Sequence, residues 1–408
     1  MSQIKENKEM AVLAYDWPGN QGGYRMSCRS CLLAYLRVFP KVHFICIADK
    51  PFPDAEQWRD YNVEWVHVPT VTRPLWMRFA SSLVSPLPAI TMRYIRMSRQ
   101  MMSAISDKVA DCQSRKSNLY IVMQNIPMAC FLKPIRKRFP NVRIAVSSHD
   151  LCTQSFERFS REGSVLKKLA WRIELAKIRP FERNVCLAAD KFWTITDAEA
   201  KEYEKSLCVK GNGVFYRGVD TERYAAVPKG DPEVVVHVGS ADLKKGVGLT
   251  DFIKNVWPHV KEHVPEAQLV LAGRFTERFT NAELGIKGLG FVKDDLDTLG
   301  RGRIFLNSQS HGSGLQFKCI VAMLAGKTLL TTSLGIKGIE GSDGEHFFVA
   351  DTADQMTDRI VVLMNDTALS ARVGQAARAL TARVRSHEYA ARKVVPLVEE
   401  FANLESFL

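Results

Sequence analysis

The stretch whose residues most clearly suggest a chemical function is HGSGLQFKCIVAMLAG, residues 311–326. It follows a predicted strand (303–308), and Gly312, Ser313 and Gly314 are predicted to open a helix of apolar residues. Glycines let a backbone approach a ligand closely, and the first amides of a helix lack partners within that helix. With the helix dipole, such amides could hold a phosphate, and Lys318 could add a full positive charge. The alternative is an ordinary glycine turn and helix cap.

Two more glycine-containing loops follow predicted strands and carry basic residues. The sequence VHVGSADLKKGVGL (236–249) places Lys244 and Lys245 between a strand and a helix, where two lysines could bind an anion. The sequence YDWPGNQGGYRMSC (15–28) places glycines after the first strand and before a helix with two arginines. The respective alternatives are a solvated pair of loop charges and a flexible loop.

A histidine and an aspartate end another predicted strand, in the sequence SSHD (147–150). At that position His149 and Asp150 could orient a sugar or move a proton, because histidine titrates near neutral pH. A lone histidine is more often structural, so this motif by itself leaves both interpretations open.

These motifs lie at the ends of short apolar runs that alternate with longer helical patterns. The runs are mostly continuous, which is typical of strands buried on both faces of a parallel sheet. Ligands of such sheets bind outside the carboxyl ends of the strands. The predicted strands are 10–15, 41–48, 63–69, 118–125, 142–149 and 191–196 in the first half, and 233–239, 267–273, 303–308, 327–332 and 347–351 in the second.

The two sets of strands predict two doubly wound α/β domains with a cleft between them. A segment containing glycine and proline (211–232) joins the sets, as expected of a linker. The length of 408 residues fits two domains. The composition, with 46% hydrophobic and 25% charged residues, excludes a collagen or a disordered chain. The nine cysteines show no disulfide or zinc spacing.

The excess positive charge is concentrated in the first half. The chain has 56 basic and 44 acidic residues; residues 1–220 hold 34 and 21 of them, whereas residues 221–408 hold 22 and 23. A basic half is typical of proteins with an anionic partner: nucleic acid, a phosphorylated substrate or an anionic membrane surface. Because no apolar run could span a membrane and no secretory signal begins the sequence, we expect a cytoplasmic location.

Three common sequence signatures of nucleotide or zinc binding are absent from the sequence. The sequences at 312–314 and 288–290 lack the third glycine of a dinucleotide fingerprint. The sequence at 326–328 lacks the first glycine of a P-loop and precedes a strand, and no HExxH occurs. Dehydrogenase, kinase-like ATPase and zinc hydrolase functions therefore lose support.

Taken in order, the motifs resemble the retaining glycosyltransferases of family 4, which have the GT-B fold. The resemblance covers most of the chain and looks closest to bacterial exopolysaccharide sugar transferases. That subgroup's C-terminal motif reads like GSGLRLKVLEAMAAG, followed by a strand, GAEGIE and DGEHF. Here the counterparts are GSGLQFKCIVAMLAG, TLLTTS, LGIKGIE (334–340) and DGEHFFVAD (343–351), and RGVDTERY (217–224) resembles the family's NGVD segment.

The resemblance implies a GT-B architecture of two Rossmann-like domains with an interdomain cleft. Residues 1–215 would form an acceptor-binding domain and residues 216–385 a nucleotide-sugar-binding domain. Residues 386–408 would form a helix that returns to the first domain.

The resemblance also implies roles for individual residues. His149, with Asp150 beside it, would act at the transferred sugar near the reacting carbon. In the donor site, glycines would approach the diphosphate, a lysine would balance its charge and backbone amides would hold the phosphates. These donor residues are Gly22, Gly23, Lys245, Ser313, Gly314 and Leu315.

The sequence departs from the family at several positions, three of which bear on donor binding. Val321 stands where the family usually has a ribose-binding glutamate, and valine cannot accept a hydrogen bond from a ribose hydroxyl. Ser240 stands where an arginine is often found, and Arg217 replaces the asparagine of NGVD. We expect Lys318, Lys244 or Arg217 to supply the missing arginine's charge.

The resemblance implies sugar transfer, with retention, from a UDP- or GDP-type nucleotide sugar to a lipid-linked saccharide in bacterial surface or exopolysaccharide synthesis. No metal or other cofactor is expected, since fixed cations and helix N-termini can stabilise a leaving diphosphate. The main alternative is a non-catalytic GT-B partner or scaffold in a polysaccharide assembly, suggested by Val321 and Ser240. Nucleic-acid binding is a third class, which no recognition motif supports.

We expect the basic half to meet its acceptor at the inner face of the cell membrane, as a peripheral protein. Segment 71–102 mixes apolar residues with arginines and contains no acid, a composition that suits an anionic membrane surface. A second basic cluster lies at 133–138. The alternative is that the apolar residues are core and the charges merely solvated. The residues expected at the membrane are Arg73, Trp76, Arg78, Arg93, Arg96 and Arg99.

Overall fold

The computed structural model describes residues 7–71, 85–161, 164–242, 246–310 and 314–405. The chain divides into two compact units. The N-terminal unit comprises Met1–Gly19, Tyr24–Arg217 and Ala390–Leu408, and the C-terminal unit comprises Asn20–Gly23 and Gly218–Tyr389. Each unit contains one six-stranded parallel sheet with helices around it, which confirms the predicted α/β class and its two Rossmann-like domains.

The sheet of the N-terminal unit has the strand order β3-β2-β1-β4-β5-β6. Its strands are β1 (Lys8–Ala14), β2 (Lys41–Ala48), β3 (Val63–Pro69), β4 (Asn118–Gln124), β5 (Arg143–Ser147) and β6 (Lys191–Trp193). Its helices are Gly23–Tyr35, Ala89–Ile95, Ser98–Ser114, Leu132–Arg138, Cys152–Phe159, Val165–Ala188 and Asp197–Leu207, with short 3₁₀ turns at Ala55–Trp58 and Ile126–Phe131. The order reverses direction between β1 and β4, which is the position where such sheets bind ligands.

Strand β1 shows why the apolar runs in this sheet are continuous. Its residues alternate between two buried clusters, with Ala11 and Leu13 in one and Met10 and Val12 in the other. Helix Ser98–Ser114 packs in the first cluster, and helices Gly23–Tyr35 and His387–Ala402 pack in the second. Because side chains alternate along a strand, burial of both faces requires apolar residues at every position.

The sheet of the C-terminal unit has the order β12-β11-β10-β7-β8-β9. Its strands are β7 (Asp231–Val238), β8 (Gln268–Ala272), β9 (Ile286–Gly288), β10 (Gly302–Asn307), β11 (Thr328–Thr331) and β12 (Phe348–Val349). Its helices are Thr221–Ala225, Val247–Asn255, Trp257–His263, Leu296–Arg301, Phe317–Leu324, Ala353–Asn365, Thr367–Arg385 and the first residues of His387–Ala402, with a 3₁₀ turn at Glu277–Phe279.

All eleven predicted strands have counterparts in these sheets, whereas β9 was not predicted. Three residues of mixed polarity are too short to stand out from a loop, and pairing with β8 is what makes them a strand. Within the described residues, no helix combines the length and apolar character needed to cross a bilayer.

Candidate functional site

The loops at the carboxyl edge of the C-terminal sheet approach one another backbone to backbone. The Gly239 amide donates to the carbonyl of Ala272 at 2.8 Å, and the Ala241 amide donates to that of Arg274 at 2.9 Å. Gly273 has φ +136°, and a Cβ there would lie 2.0 Å from the Gly239 oxygen. A side chain is excluded at Gly273, so backbone rather than side chains forms the edge where β7 and β8 end.

Lys318 places positive charge at this edge. It is the second residue of helix Phe317–Leu324, and its Nζ lies 3.7 Å from the position that a Cβ on Gly239 would occupy. His237 lies beside it: burial and the nearby Lys318 charge lower the pKa of His237 to about 3. The neutral ring donates from Nδ1 to the Leu306 carbonyl at 3.0 Å. Lys318 is therefore the group that carries charge in this pair.

The helix that follows β10 begins later than predicted. We expected residues 312–314 to open it, but the first helical residue is Phe317 and Gln316 is its N-cap. Gly314 has φ +83° in the loop before it, a conformation that favours glycine, and the Leu315 side chain is buried. Gly314 and Leu315 are thus loop residues rather than helical ones.

Three of the predicted donor residues, Ser313, Lys244 and Lys245, lie outside the described residues. Val321 is buried on helix Phe317–Leu324, so its side chain packs rather than binds. Gly22 has φ +78°, which favours glycine, and Gly23 is the first residue of helix Gly23–Tyr35. Among the described donor residues, Gly314, Leu315 and Lys318 lie on one segment after β10.

His149 lies at the carboxyl end of β5 in the N-terminal unit. Its Nε2 is 2.9 Å from Oε1 of Gln124, whose amide nitrogen donates to the Tyr35 hydroxyl at 2.8 Å. Because the Gln124 nitrogen is committed to Tyr35, its oxygen accepts from His149, which places the ring proton on Nε2. Burial, then the Arg217 charge, lower the pKa of His149 well below its usual value. His149 is therefore a neutral imidazole.

Asp150 sits beside this histidine in a polar setting of its own. Its Oδ1 accepts a hydrogen bond from Nδ2 of Asn125 at 3.2 Å, and Asn125 also reaches the Tyr15 hydroxyl at 3.3 Å. The Tyr24 ring packs at a tilt against His149, with ring centroids 4.8 Å apart. This arrangement fixes the histidine and aspartate side by side where β4 and β5 end.

Arg217 does not occupy the position that we predicted for a donor-binding residue. Its side chain is fully buried inside the N-terminal unit. Nε donates to Ser27 Oγ at 2.7 Å, Nη2 donates to Ser147 Oγ at 2.8 Å, and Nη1 donates to the Phe215 carbonyl. A guanidinium enclosed in this way ties helix Gly23–Tyr35 to the end of β5, so it cannot replace a solvent-facing arginine without unpacking.

Two buried carboxyls contact the segment that follows β5, and the sequence analysis missed both. Glu182 accepts four hydrogen bonds, from the Cys152 and Thr153 amides, the Thr153 hydroxyl and the Tyr203 hydroxyl, at 2.6–2.9 Å. Glu199 accepts from the Ile195 amide at 2.7 Å and from the Ser148 hydroxyl at 3.3 Å. Burial raises the pKa of Glu182 to about 7 and that of Glu199 to about 8. Both glutamates lie in helical patterns with charged neighbours, so the sequence held no signal for their burial.

Replacing Glu182 with glutamine should destabilise the N-terminal unit by about 1–3 kcal/mol, whereas Glu199→Gln should cost little. Glutamine at 182 turns an NH₂ group toward N–H and O–H donors and leaves buried donors unpaired. At 199 the amide oxygen can still accept from Ile195, and its nitrogen can donate to the Ser148 oxygen. Urea unfolding at pH 7 measures both, and equal losses would contradict the assignment.

The Glu199 variant should also change the pH dependence of stability. A carboxyl whose pKa is raised from 4.5 to about 8 by folding binds its proton more tightly in the native state. Its contribution is therefore present at low pH and is lost as the pH rises from about 4.5 through 8. Glu199→Gln should flatten the decline of the thermal midpoint between pH 5 and pH 8, and an unchanged slope would argue against a raised pKa.

One group of three potential metal ligands occurs among the described residues, namely Glu9, His43 and Cys112. His43 Nε2 lies 2.7 Å from Glu9 and Nδ1 lies 2.9 Å from Glu64, while Arg115 Nη2 reaches Glu9 at 3.0 Å. Protein groups already satisfy the ligand atoms of His43 and Glu9, so we interpret this cluster as a buried charge network.

Of the residues predicted to face a membrane, the structure describes the side chains of Arg96 and Arg99. Arg73, Trp76 and Arg78 lie outside the described residues, as does the side chain of Arg93. Arg96 follows helix Ala89–Ile95 and is half-buried, and Arg99 is exposed near the start of helix Ser98–Ser114.

Comparisons with known proteins address the fold and the C-terminal unit. The family model described as glycosyl transferases group 1 matches residues 232–366. A search of curated proteins gave no match. The structure is similar to HepE of Anabaena in complex with UDP, with a TM-score of 0.64 and 13% identity over 96% of this chain and 100% of that one.

Two further solved structures extend the likeness. A glycosyltransferase from Rickettsia africae has a TM-score of 0.62 and 11% identity over 98% of this chain and 100% of that one. Sucrose-phosphate synthase from Thermosynechococcus elongatus has a TM-score of 0.64 and 14% identity over 96% of this chain and 98% of that one. The chain therefore has the GT-B glycosyltransferase fold, and its residues 232–366 match the family model of the group 1 glycosyl transferases.

Proposed function

We propose that the protein is a retaining glycosyltransferase that moves a sugar from a nucleotide-diphosphate sugar to a saccharide acceptor. The observation that carries this proposal is the group 1 match over residues 232–366, the segment that contains the β7 and β8 loops and Lys318. The solved structure of HepE with UDP-glucose has the same fold, which supports a nucleotide sugar as donor.

Lys318 and the backbone of the glycine loops would stabilise the leaving diphosphate. Breakage of the sugar–phosphate bond leaves negative charge on the nucleoside diphosphate, and a fixed cation near that charge lowers the barrier. Gly239 and Gly273 leave the strand ends without side chains, so a phosphate could come within reach of Lys318. We propose that Gly22, Gly23, Lys244, Lys245, Ser313, Gly314 and Leu315 complete this donor site and that no metal is needed.

His149 would contact the transferred sugar as a neutral hydrogen-bonding group. Its Nε2 proton is engaged by Gln124, so Nδ1 is the nitrogen left to face a ligand. The family's retaining chemistry is described as front-face attack, in which the leaving phosphate helps to deprotonate the acceptor. That route needs no protein base, which agrees with a histidine whose pKa is lowered.

Exposed aromatic rings at the carboxyl edge of β8 and β9 would suit the nucleobase. Phe275 and Phe291 are exposed, and the Arg274 guanidinium lies 5.8 Å from the Phe291 ring centroid. Phe275 has φ +68°, a conformation that is rare for a bulky residue and is common near binding sites. Stacking on these groups could offset the missing ribose contact at Val321.

We propose that the acceptor is a lipid-linked saccharide, built at the inner face of a bacterial cell membrane during surface or exopolysaccharide synthesis. The support is the charge distribution: residues 1–220 carry 34 basic and 21 acidic residues, and Arg99, one of the arginines expected at the membrane, is exposed. An anionic carrier phosphate and an anionic membrane surface would both meet this half favourably.

A non-catalytic partner in a polysaccharide assembly is the second candidate. Val321 favours it, because this buried valine cannot replace a ribose-binding carboxylate. Such a protein would keep the fold without donor turnover.

A panel of UDP- and GDP-sugars separates the two candidates. We expect slow release of UDP or GDP from one donor without acceptor, faster release with a lipid-linked saccharide, and no loss of activity in EDTA. The measurement is nucleotide release by chromatography, with donor binding followed calorimetrically. Absence of turnover for every donor, with or without donor binding, would overturn the transferase and indicate the non-catalytic partner.

A further inference from the structure

The first three turns of helix Val165–Ala188 expose an apolar stripe. Val165 and Leu166 are 81% and 80% exposed, and Leu169 and Ile173 are 55% and 40% exposed. At 3.6 residues per turn, these four positions lie on one face of the helix. We call this set the helix-165 face.

The helix-165 face is separate from the side of the helix that packs in the protein. The core side carries the buried residues Ile178, Val185 and Cys186. Trp171 packs on this side against Phe156 and Phe159, with ring centroids 5.5 Å and 5.2 Å apart. The helix is thus apolar on two sides, and the fold uses only one of them.

Basic residues line one edge of the helix-165 face. Lys168 and Arg172 flank it there, and no ion pair engages them among the residues that the structure describes. Two carboxylates on this helix and on helix Cys152–Phe159 are paired with other residues: Glu174 with Lys177 at 3.1 Å, and Glu157 with Arg179. The first turn of the helix contains no acid, so its lysines lie at the positive end of the helix dipole. That placement is unfavourable unless an anion meets it.

We propose that the helix-165 face docks on an anionic lipid bilayer, with Val165, Leu166, Leu169 and Ile173 inserted among the acyl chains near the headgroups. Apolar residues of this size bury favourably at such an interface, and lysines and arginines beside them meet anionic headgroups. A second copy of the chain is the less suitable occupant, because pairing two such faces would bring two sets of basic residues together. This surface lies outside segment 71–102, and the proposal needs only binding, not sugar transfer.

Vesicle flotation with the full-length protein tests this proposal. Vesicles of phosphatidylcholine alone are compared with vesicles that also contain about 30 mol% of the anionic lipid phosphatidylglycerol. We expect the wild-type protein to float with the anionic vesicles. The double variant Leu166→Glu/Leu169→Glu should lose about tenfold or more of this binding, and Lys168→Ser/Arg172→Ser should lose about tenfold together with most of its salt dependence.

Val362→Glu is the matched control, since Val362 is an apolar helix residue of the C-terminal unit with 45% exposure. It should float like the wild type, and circular dichroism should show all variants folded. Equal flotation of the wild type and the Leu166→Glu/Leu169→Glu variant would overturn the proposal, as would absence of the wild type from anionic vesicles. Light scattering that shows a wild-type dimer, made monomeric by the same variant, would assign the face to self-association instead.

Discussion

Replacing Lys318 with alanine should lower kcat/KM for the nucleotide-sugar donor by about 100-fold, with most of the loss in kcat. The ammonium group lies at the carboxyl edge of β7, close to Gly239. His237 beside it is neutral, so it cannot take over the charge. Charge on the diphosphate grows as the sugar–phosphate bond breaks, and an interaction that strengthens on the way to the transition state acts on kcat. Initial rates of nucleotide release measure the effect.

Two control variants sharpen this result. Lys318→Arg keeps the charge and should recover part of the activity, although a guanidinium has a different shape. Lys287→Ala removes an exposed lysine from β9 in the same unit and should change kcat/KM by less than about twofold. A Lys318→Ala enzyme with wild-type kcat would show that Lys318 does not meet the leaving group.

Replacing His149 with alanine should reduce kcat by about 100-fold while the protein remains folded, because the variant loses a positioned hydrogen-bonding group at the sugar. The pH profile carries a second expectation. Burial and the neighbouring Arg217 keep the pKa of His149 well below 6.5, so the imidazole stays neutral at and above neutral pH. The wild-type kcat/KM should therefore show no inflection near pH 6.5 that His149→Ala removes.

His259→Ala supplies the control for this experiment. His259 is exposed on helix Trp257–His263 and lies 3.1 Å from Glu262, so its loss should leave both kcat and the pH profile unchanged. If the pH profile has an acidic limb near pH 6.5 and this limb disappears in His149→Ala, then His149 titrates as an ordinary exposed imidazole. The neutral hydrogen-bonding role would then be wrong.

The sequence by itself determined the elements and the order in which motifs follow them. Continuous apolar runs such as 41–48 and 118–125 predict strands of a parallel sheet, because both faces of such a strand must be apolar. Gly22 and Gly314 adopt positive φ angles at strand-end loops, where glycine is the residue that tolerates them. The strand order reverses in each sheet as expected for doubly wound folds. These features depend on local pattern, and local pattern is what a sequence displays.

Only the tertiary structure determined which charged groups are buried. Arg217 is a linker residue by pattern, yet its guanidinium is buried because Ser27 and Ser147 offer acceptors that are 190 and 70 residues away in the chain. Glu182 lies among basic residues of a helix, yet four donors from other elements enclose it. The partners that make such burial possible come together only when the sheet forms, so no periodicity in the sequence could reveal them.

Helix Val165–Ala188 shows that the sequence likewise does not reveal which apolar residues stay exposed. Its apolar residues recur on two faces, and the pattern alone cannot say which face the protein covers. Packing against helix Cys152–Phe159 buries one face and leaves Val165, Leu166 and Leu169 exposed. The sequence determines where apolar surface exists, but the arrangement of neighbouring elements determines which part of that surface is left for a partner, because burial is a property of contacts between distant segments.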